Sequence, residues 1–494
     1  MPGTRANLVP AEPREVDISI CDLDHQARFS PSWRVIVRVV RQSLTTRNLP
    51  LLDATEAGRD PTASRLPERR TTGPILQGSH RRPTITPMSL RVLFYLGAVS
   101  LPLTATAQPS RADKPRSDST TAASTSLPDG WGAFVRLFDA YADSDRVVGA
   151  SVLVMRDGRT LERHEYGWAD RAAGQRVDAR TIFHWGSITK TLTAISIMQL
   201  RDRGRLSLDQ AITRYVPELR QVHDPYGMID SITLRMLLSH SAGFQNPTWP
   251  YTDGKDWEPF EPTTWNQLVA MMPYQELHFR PGSRFGYSNP GFIYLARVIE
   301  ELSGDPWESY VQKNVFSPLG LAHSYFGATP YYLARERSNN YTIRRDSAGT
   351  VSERPNGRDF DPGITIPNGG WNAPLSDLAT YAAFLTGAAH DDSTRRRFDV
   401  VISRESLHQM WHPLHPMSVG ASAPDSMALS FFVAHRGPAT FIGHTGSQAG
   451  FRSFLFFNPA NSAVVIAAFN TTNDATPARA AYTRMFEAAL DLLR

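Results

Sequence analysis

Two hydrophobic periods run through most of the chain. Phe134, Leu137, Phe138 and Tyr141 recur at helical spacing within Leu127 to Asp143, which predicts an amphipathic helix. Gly149 to Met155, an Asp157-Gly158 turn and Thr160 to Trp168 predict a β-hairpin. Ser187 to Gly204 follows as a helix with Ile188, Leu192 and Ile195 on one face. The middle of the chain is largely helical in pattern, including Ile232 to Gly243 and Asn289 to Ser303, with many Pro and Trp in its loops. Strand patterns return at Leu429 to Ala434, Thr440 to Gly443, Gly450 to Phe457 and Ala463 to Phe469, before a last helix from about Pro477 to Leu493. Strands at both ends with helices between predict a discontinuous α/β domain carrying a helical insertion. The α/β part covers about 127–200 and 376–494, and the mainly helical part about 201–375. A cleft between two such units is a usual place for a small-molecule site.

The first 126 residues have no such pattern. Met88 to Ala107 has the three parts of a secretory signal peptide: Arg91, the apolar Val92 to Leu103, and Ala105-Thr106-Ala107 as a small-residue cleavage site. Its apolar run of about a dozen residues is short of the roughly 20 that span a bilayer, and no cysteine follows it to carry a lipid anchor. The expectation is that Met88 is the true start and that residues 1–87 are a mis-assigned or disordered extension. Cleavage near Ala107 would place the mature protein in the periplasm or outside the cell, with no stable membrane anchor. Gln108 to Ser126, rich in Ser, Thr, Ala, Asp and Pro, reads as a linker.

Composition narrows the chemistry. The 494 residues carry a formal net charge of +4, but residues 1–87 alone hold 13 Arg against nine acidic residues. The remainder is neutral and offers no basic stripe for a phosphate backbone, so nucleic acid is not an expected partner. The single cysteine, Cys21, excludes a disulfide framework and a cysteine nucleophile in the main body. His412 and His415 are flanked by Pro413 and Pro416 and read as loop residues rather than a helical ligand pair; no metal and no cofactor is expected. Only four lysines stand among 48 arginines, which draws attention to each of them.

One of those lysines has company. In Phe183-His-Trp-Gly-Ser187-Ile-Thr-Lys190, Ser187 would open a helix with Lys190 three residues on, on the same face. A serine hydroxyl needs a neighbour to take its proton. A lysine whose pKa is lowered by desolvation or nearby positive charge can do so. The helix N-terminus meanwhile points amides at the place where an oxyanion would grow. Two further clusters follow in order: Tyr287-Ser288-Asn289 in a Gly/Pro-rich turn before a helix, and His444-Thr445-Gly446 at the end of a strand, followed by Ser447.

This trio resembles the serine β-lactamase and penicillin-binding protein superfamily, in its class C-like branch of β-lactamases, D-alanyl-D-alanine carboxypeptidases, D-aminopeptidases and esterases. Leu234-Arg-Met-Leu-Leu-Ser-His240-Ser-Ala-Gly243 and Asn368-Gly-Gly-Trp371-Asn-Ala-Pro-Leu-Ser-Asp377-Leu378 are similar to two secondary signatures of that branch. The resemblance covers about residues 127–494. It implies an α/β (α+β) fold: an antiparallel sheet flanked by helices plus a helical inserted domain. It also implies Ser187 as the acylated nucleophile, Lys190 and Tyr287 sharing the general-base work, and the backbone amides of Ser187 and Ser447 as the oxyanion hole. Asn289, His444, Thr445 and Gly446 would bind the substrate, a small molecule or peptide. His240 is expected to be a structural hydrogen-bonding residue. Trp371 would either wall the pocket or pack in the core, and Gln245, where some relatives place a substrate-binding polar side chain, would be either that or a plain loop residue.

Many relatives carry Lys where His444 stands. A histidine is mostly neutral at pH 7 and attracts a substrate carboxylate less, unless Arg436 or another arginine supplies the charge. The expectation is therefore an exported D-amino-acid peptidase, carboxypeptidase or esterase, with a class C-like β-lactamase as the alternative. An α/β-hydrolase is rejected because Ser239-His-Ser-Ala-Gly243 lacks the first glycine of G-x-S-x-G. A non-catalytic binding protein on the same fold would be expected to have lost Ser187, Lys190 or Tyr287.

Overall fold

The computed structural model describes residues 130–244, 262–359, 362–417, 424–448 and 450–494. The signal-like segment, the linker, Cys21 and Gln245 lie outside them. The strands are β1 (Gly149–Arg156), β2 (Arg159–Asp170), β3 (Gln175–Arg176), β4 (Ile182–His184), β5 (Tyr325–Phe326), β6 (Asn340–Arg345), β7 (Val351–Gly357), β8 (Trp371–Pro374), β9 (His415–Pro416), β10 (Ser426–Met427), β11 (Phe432–Arg436), β12 (Ala439–Gln448), β13 (Phe451–Asn458), β14 (Ala463–Phe469) and β15 (Thr471–Asn473).

Nine strands form one antiparallel sheet in the order β3-β2-β1-β14-β13-β12-β11-β10-β9. Its centre is apolar on both faces because the side chains alternate between two cores. In β14, Val464, Ile466 and Ala468 join the core that holds the inserted helices. Val465, Ala467 and Phe469 point the other way, into a core with Phe134, Phe138 and Tyr141 of the first helix and Met485, Phe486 and Leu490 of the last. Those helices span Trp131–Ser144 and Arg479–Asp491, so the two ends of the described chain cover one face together. The register joins them: Ala150 pairs with Phe469 and Met155 with Val464.

On the opposite face lies the helix Thr189–Asp202, with Thr189 to Leu200 all buried. Burial on all sides makes it the central strut of that layer, with its polar side chains such as Thr191, Thr193, Ser196 and Gln199 hydrogen-bonded. The helix Pro290–Ser303 packs beside it through Phe292, Leu295 and Ile299. The stretch 201–375 also contains strands: β5 pairs with β8, β8 with β4, and β6 with β7. Two sequence readings change. Of Ile232 to Gly243 only Leu234–Leu238 is helical, because His240 turns the backbone left-handed at φ 54°. His415 lies in the short edge strand β9, paired with Met427. Among the described residues, no helix is long and apolar enough to cross a membrane.

Candidate active site

Ser187 sits in a tight turn, Gly186–Ile188, that feeds directly into the helix Thr189–Asp202. Threonines anchor the turn: Thr189 Oγ1 donates to the Gly186 carbonyl at 2.6 Å and accepts from the Trp371 amide at 3.0 Å. Lys190, one helical rung on, is fully buried. Its Nζ donates to Ser187 Oγ at 2.9 Å and to the Asn368 carbonyl at 2.8 Å. The ammonium also lies 5.0 Å from the centroid of the Tyr287 ring and 5.7 Å from that of Phe292, so its surroundings are largely aromatic. The Ser187 side chain itself is only partly buried.

Tyr287 arrives on the turn that precedes the helix Pro290–Ser303. Ser288 Oγ accepts the Gly291 amide at 3.1 Å, and Asn289 occupies the helix N-cap without using its side chain to cap. This asparagine is partly buried. The Tyr287 ring stacks on His240 with centroids 4.3 Å apart, and the His444 ring lies 6.4 Å away, tilted by 49°.

The third element is β12. His444-Thr445-Gly446 is inside this strand rather than at its end, since pairing continues through Gly446 with Ser453 and Ser447 with Arg452. Two glycines make that approach possible. A Cβ on Gly446 would overlap the Trp185 carbonyl oxygen and Ser453 Oγ, and one on Gly186 would come within 3.0 Å of the Ser447 amide nitrogen. Their absence lets the Ser187 turn and the Ser447 segment touch backbone to backbone. Thr445 and Ser447 remain partly exposed.

The His444 ring is buried and stacks on Phe432 at 4.5 Å. Burial, and then the Lys190 ammonium, push its pKa down to about 3. His240 is held well below 6.5 by burial, then by Lys190 and His444. The two histidine rings beside Tyr287 are therefore neutral at pH 7. Arg436 does not replace the missing cation: it is committed to Glu487 through two hydrogen bonds of 3.0 Å. Trp371 is core, buried against Phe316 and Tyr381, not a pocket wall.

The structure thus brings Ser187, Lys190, Tyr287 and Ser447 into one neighbourhood, with Asn289 at the end of the Tyr287 turn. Two contributors had no sequence signal. The Asn368 acceptor is a backbone carbonyl, which any residue could supply. His184, buried with a pKa pushed down to about 3 by burial and then Arg337, stands three residues before Ser187 and is fixed by Asn372 at 2.9 Å.

Residues 134–490 match the family described as Beta-lactamase. Protein flp of Staphylococcus aureus (strain COL) is 22% identical over 331 residues, which cover 67% of this chain and 61% of that protein. The match therefore spans about three-fifths of that relative's length. The octameric penicillin-binding protein homologue from Pyrococcus abyssi has a TM-score of 0.58 at 23% identity, covering 73% of this chain and 76% of its own. The D-amino acid amidase from Ochrobactrum anthropi SV3 has a TM-score of 0.57 at 19% identity, covering 72% and 98%. These likenesses are of fold. Taken with the sequence match across most of its length, they show that the chain belongs to the Beta-lactamase family.

Proposed function

We propose that this protein is a serine hydrolase acting through an acyl-enzyme, with Ser187 as nucleophile. The observation that carries the reading is the 2.9 Å hydrogen bond between Ser187 Oγ and a fully buried Lys190 Nζ. Ser187 Oγ attacks the carbonyl carbon of an amide or ester while its proton passes into the Lys190–Tyr287 pair. That pair titrates as one unit rather than as two independent bases. The developing oxyanion takes the backbone amides of Ser187 and Ser447. The same proton then goes to the departing amine or alcohol, and water attacks the resulting ester by the reverse route. Asn289, Thr445 and Gly446 border the acyl group. The buried, neutral His444 adds no cation for a substrate carboxylate, which favours a D-amino-acid peptide or amide, or a small ester, over a dedicated β-lactam substrate. The likeness to a D-amino acid amidase agrees with that preference. We further propose export, with a mature N-terminus near Gln108.

A fluorophosphonate probe tests the reading. Labelling of the wild type that disappears in Ser187→Ala is expected; a wild type that stays unlabelled overturns it. Parallel assays on p-nitrophenyl butyrate, a D-Ala-D-Ala peptide and nitrocefin then rank the substrates, with nitrocefin expected to be slowest.

A further inference from the structure

His240 is a buried histidine that the acyl-transfer scheme leaves unused. It is also one of five described non-glycine residues with positive φ, at 54°, a backbone state that an L-residue holds only when its surroundings fix it. Three contacts converge on it. Its carbonyl accepts the Gly286 amide at 2.8 Å. Its Nδ1 accepts the Ser288 amide at 3.0 Å. Its ring lies against the Tyr287 ring at 4.3 Å and 23°. The amides before and after Tyr287 are therefore both held by the residue on which the phenol rests.

We infer that His240 is the positioning residue of Tyr287, clamping both flanking amides and stacking on the ring between them, so that the phenol is held at the Lys190 ammonium. Its importance for activity rests on the serine hydrolase reading above; the clamp itself does not. The left-handed turn matters because it presents the carbonyl and the ring of one residue to the same neighbouring strand of backbone. The Nδ1 acceptor also fixes the proton on Nε2, since a ring protonated at both nitrogens has no lone pair for the Ser288 amide. Burial opposes a second proton on the ring, and so do Lys190 and His444 beside it.

Two measurements test the clamp. In His240→Phe, which keeps a ring and loses the acceptor, kcat is expected to fall about tenfold or more, the scale of a buried amide left unpaired, with KM within about threefold. Combined with Tyr287→Phe, the same change is expected to cost nothing further, because residues acting through one group are not additive. Full additivity in that cycle would overturn the proposal. Hydrogen exchange at the Ser288 amide is the readout independent of catalysis: it is expected to speed up in His240→Phe and to recover part of its protection in His240→Asn, which tolerates positive φ and restores an acceptor. Unchanged exchange in His240→Phe would overturn the clamp even in an active enzyme. An unlabelled wild type with the expected exchange pattern would overturn only the hydrolase reading.

Discussion

Lys190 shows how a single residue acquires a task from its surroundings. A lysine with Nζ on a serine hydroxyl, a backbone carbonyl and the faces of two aromatic rings has no bulk water to share its charge. Lys190→Ala is expected to lower kcat by at least about 10²-fold, as for loss of a general base; steady-state rates near wild type would remove it from the mechanism. At this scale the sequence was informative where chemistry is local. Ser187 and Lys190 are three apart across the turn that opens one helix, so their meeting follows from local backbone geometry. The burial of His444 and Trp371 was not legible, because it depends on how Phe432, Phe316 and Tyr381 pack on them, which strand pairing and helix placement decide rather than local periodicity.

At the scale of elements, the contact between the Ser187 turn and β12 depends on what is missing from Gly446. Gly446→Ala places a methyl against the Trp185 carbonyl and Ser453 Oγ, so strand and turn must part and carry the Ser447 amide with them. Turnover is expected to fall by about 10²–10³-fold, as when an oxyanion donor is lost. Labelling kinetics at matched protein stability check this. Periodicity located β1, β13 and β14 closely, because a strand buried on both faces is a nearly continuous apolar run, and the Asp157-Gly158 turn located the half-buried β2. It failed for β5 and β8, which are two and four residues long, and for Leu137, which the helical pattern turned inward but which is 36% exposed. The His444 strand was cut short in the sequence because Thr-Gly-Ser reads as a turn. Pairing with β13 carries it on.

For the whole molecule, buried neutral histidines set a pH dependence. His184 and His444 take up protons near pH 6.5 when unfolded but only at about 3 when folded. Between those values the unfolded chain holds more protons, so stability is full above about pH 6.5 and declines as the pH falls, each histidine adding a slope of about 1.4 kcal/mol per pH unit. Urea unfolding at pH 7, 6 and 5 should show the decline, and His444→Gln should make it shallower; a flat profile would contradict the burial. The export proposal is checked by mass spectrometry of the secreted protein, expected to begin near Gln108, with peptides from residues 1–87 as the contrary result. Chain order has a last consequence. Ser187 belongs to the early part of the polypeptide, yet β1 completes its pairing only with β14, and the Ser447 amide is made more than 250 residues after the nucleophile. On the proposed mechanism, a nascent chain is inert until β12 has been made, and a stop codon upstream of β12 yields a product that carries the proposed nucleophile without the Ser447 amide proposed to stabilise the oxyanion.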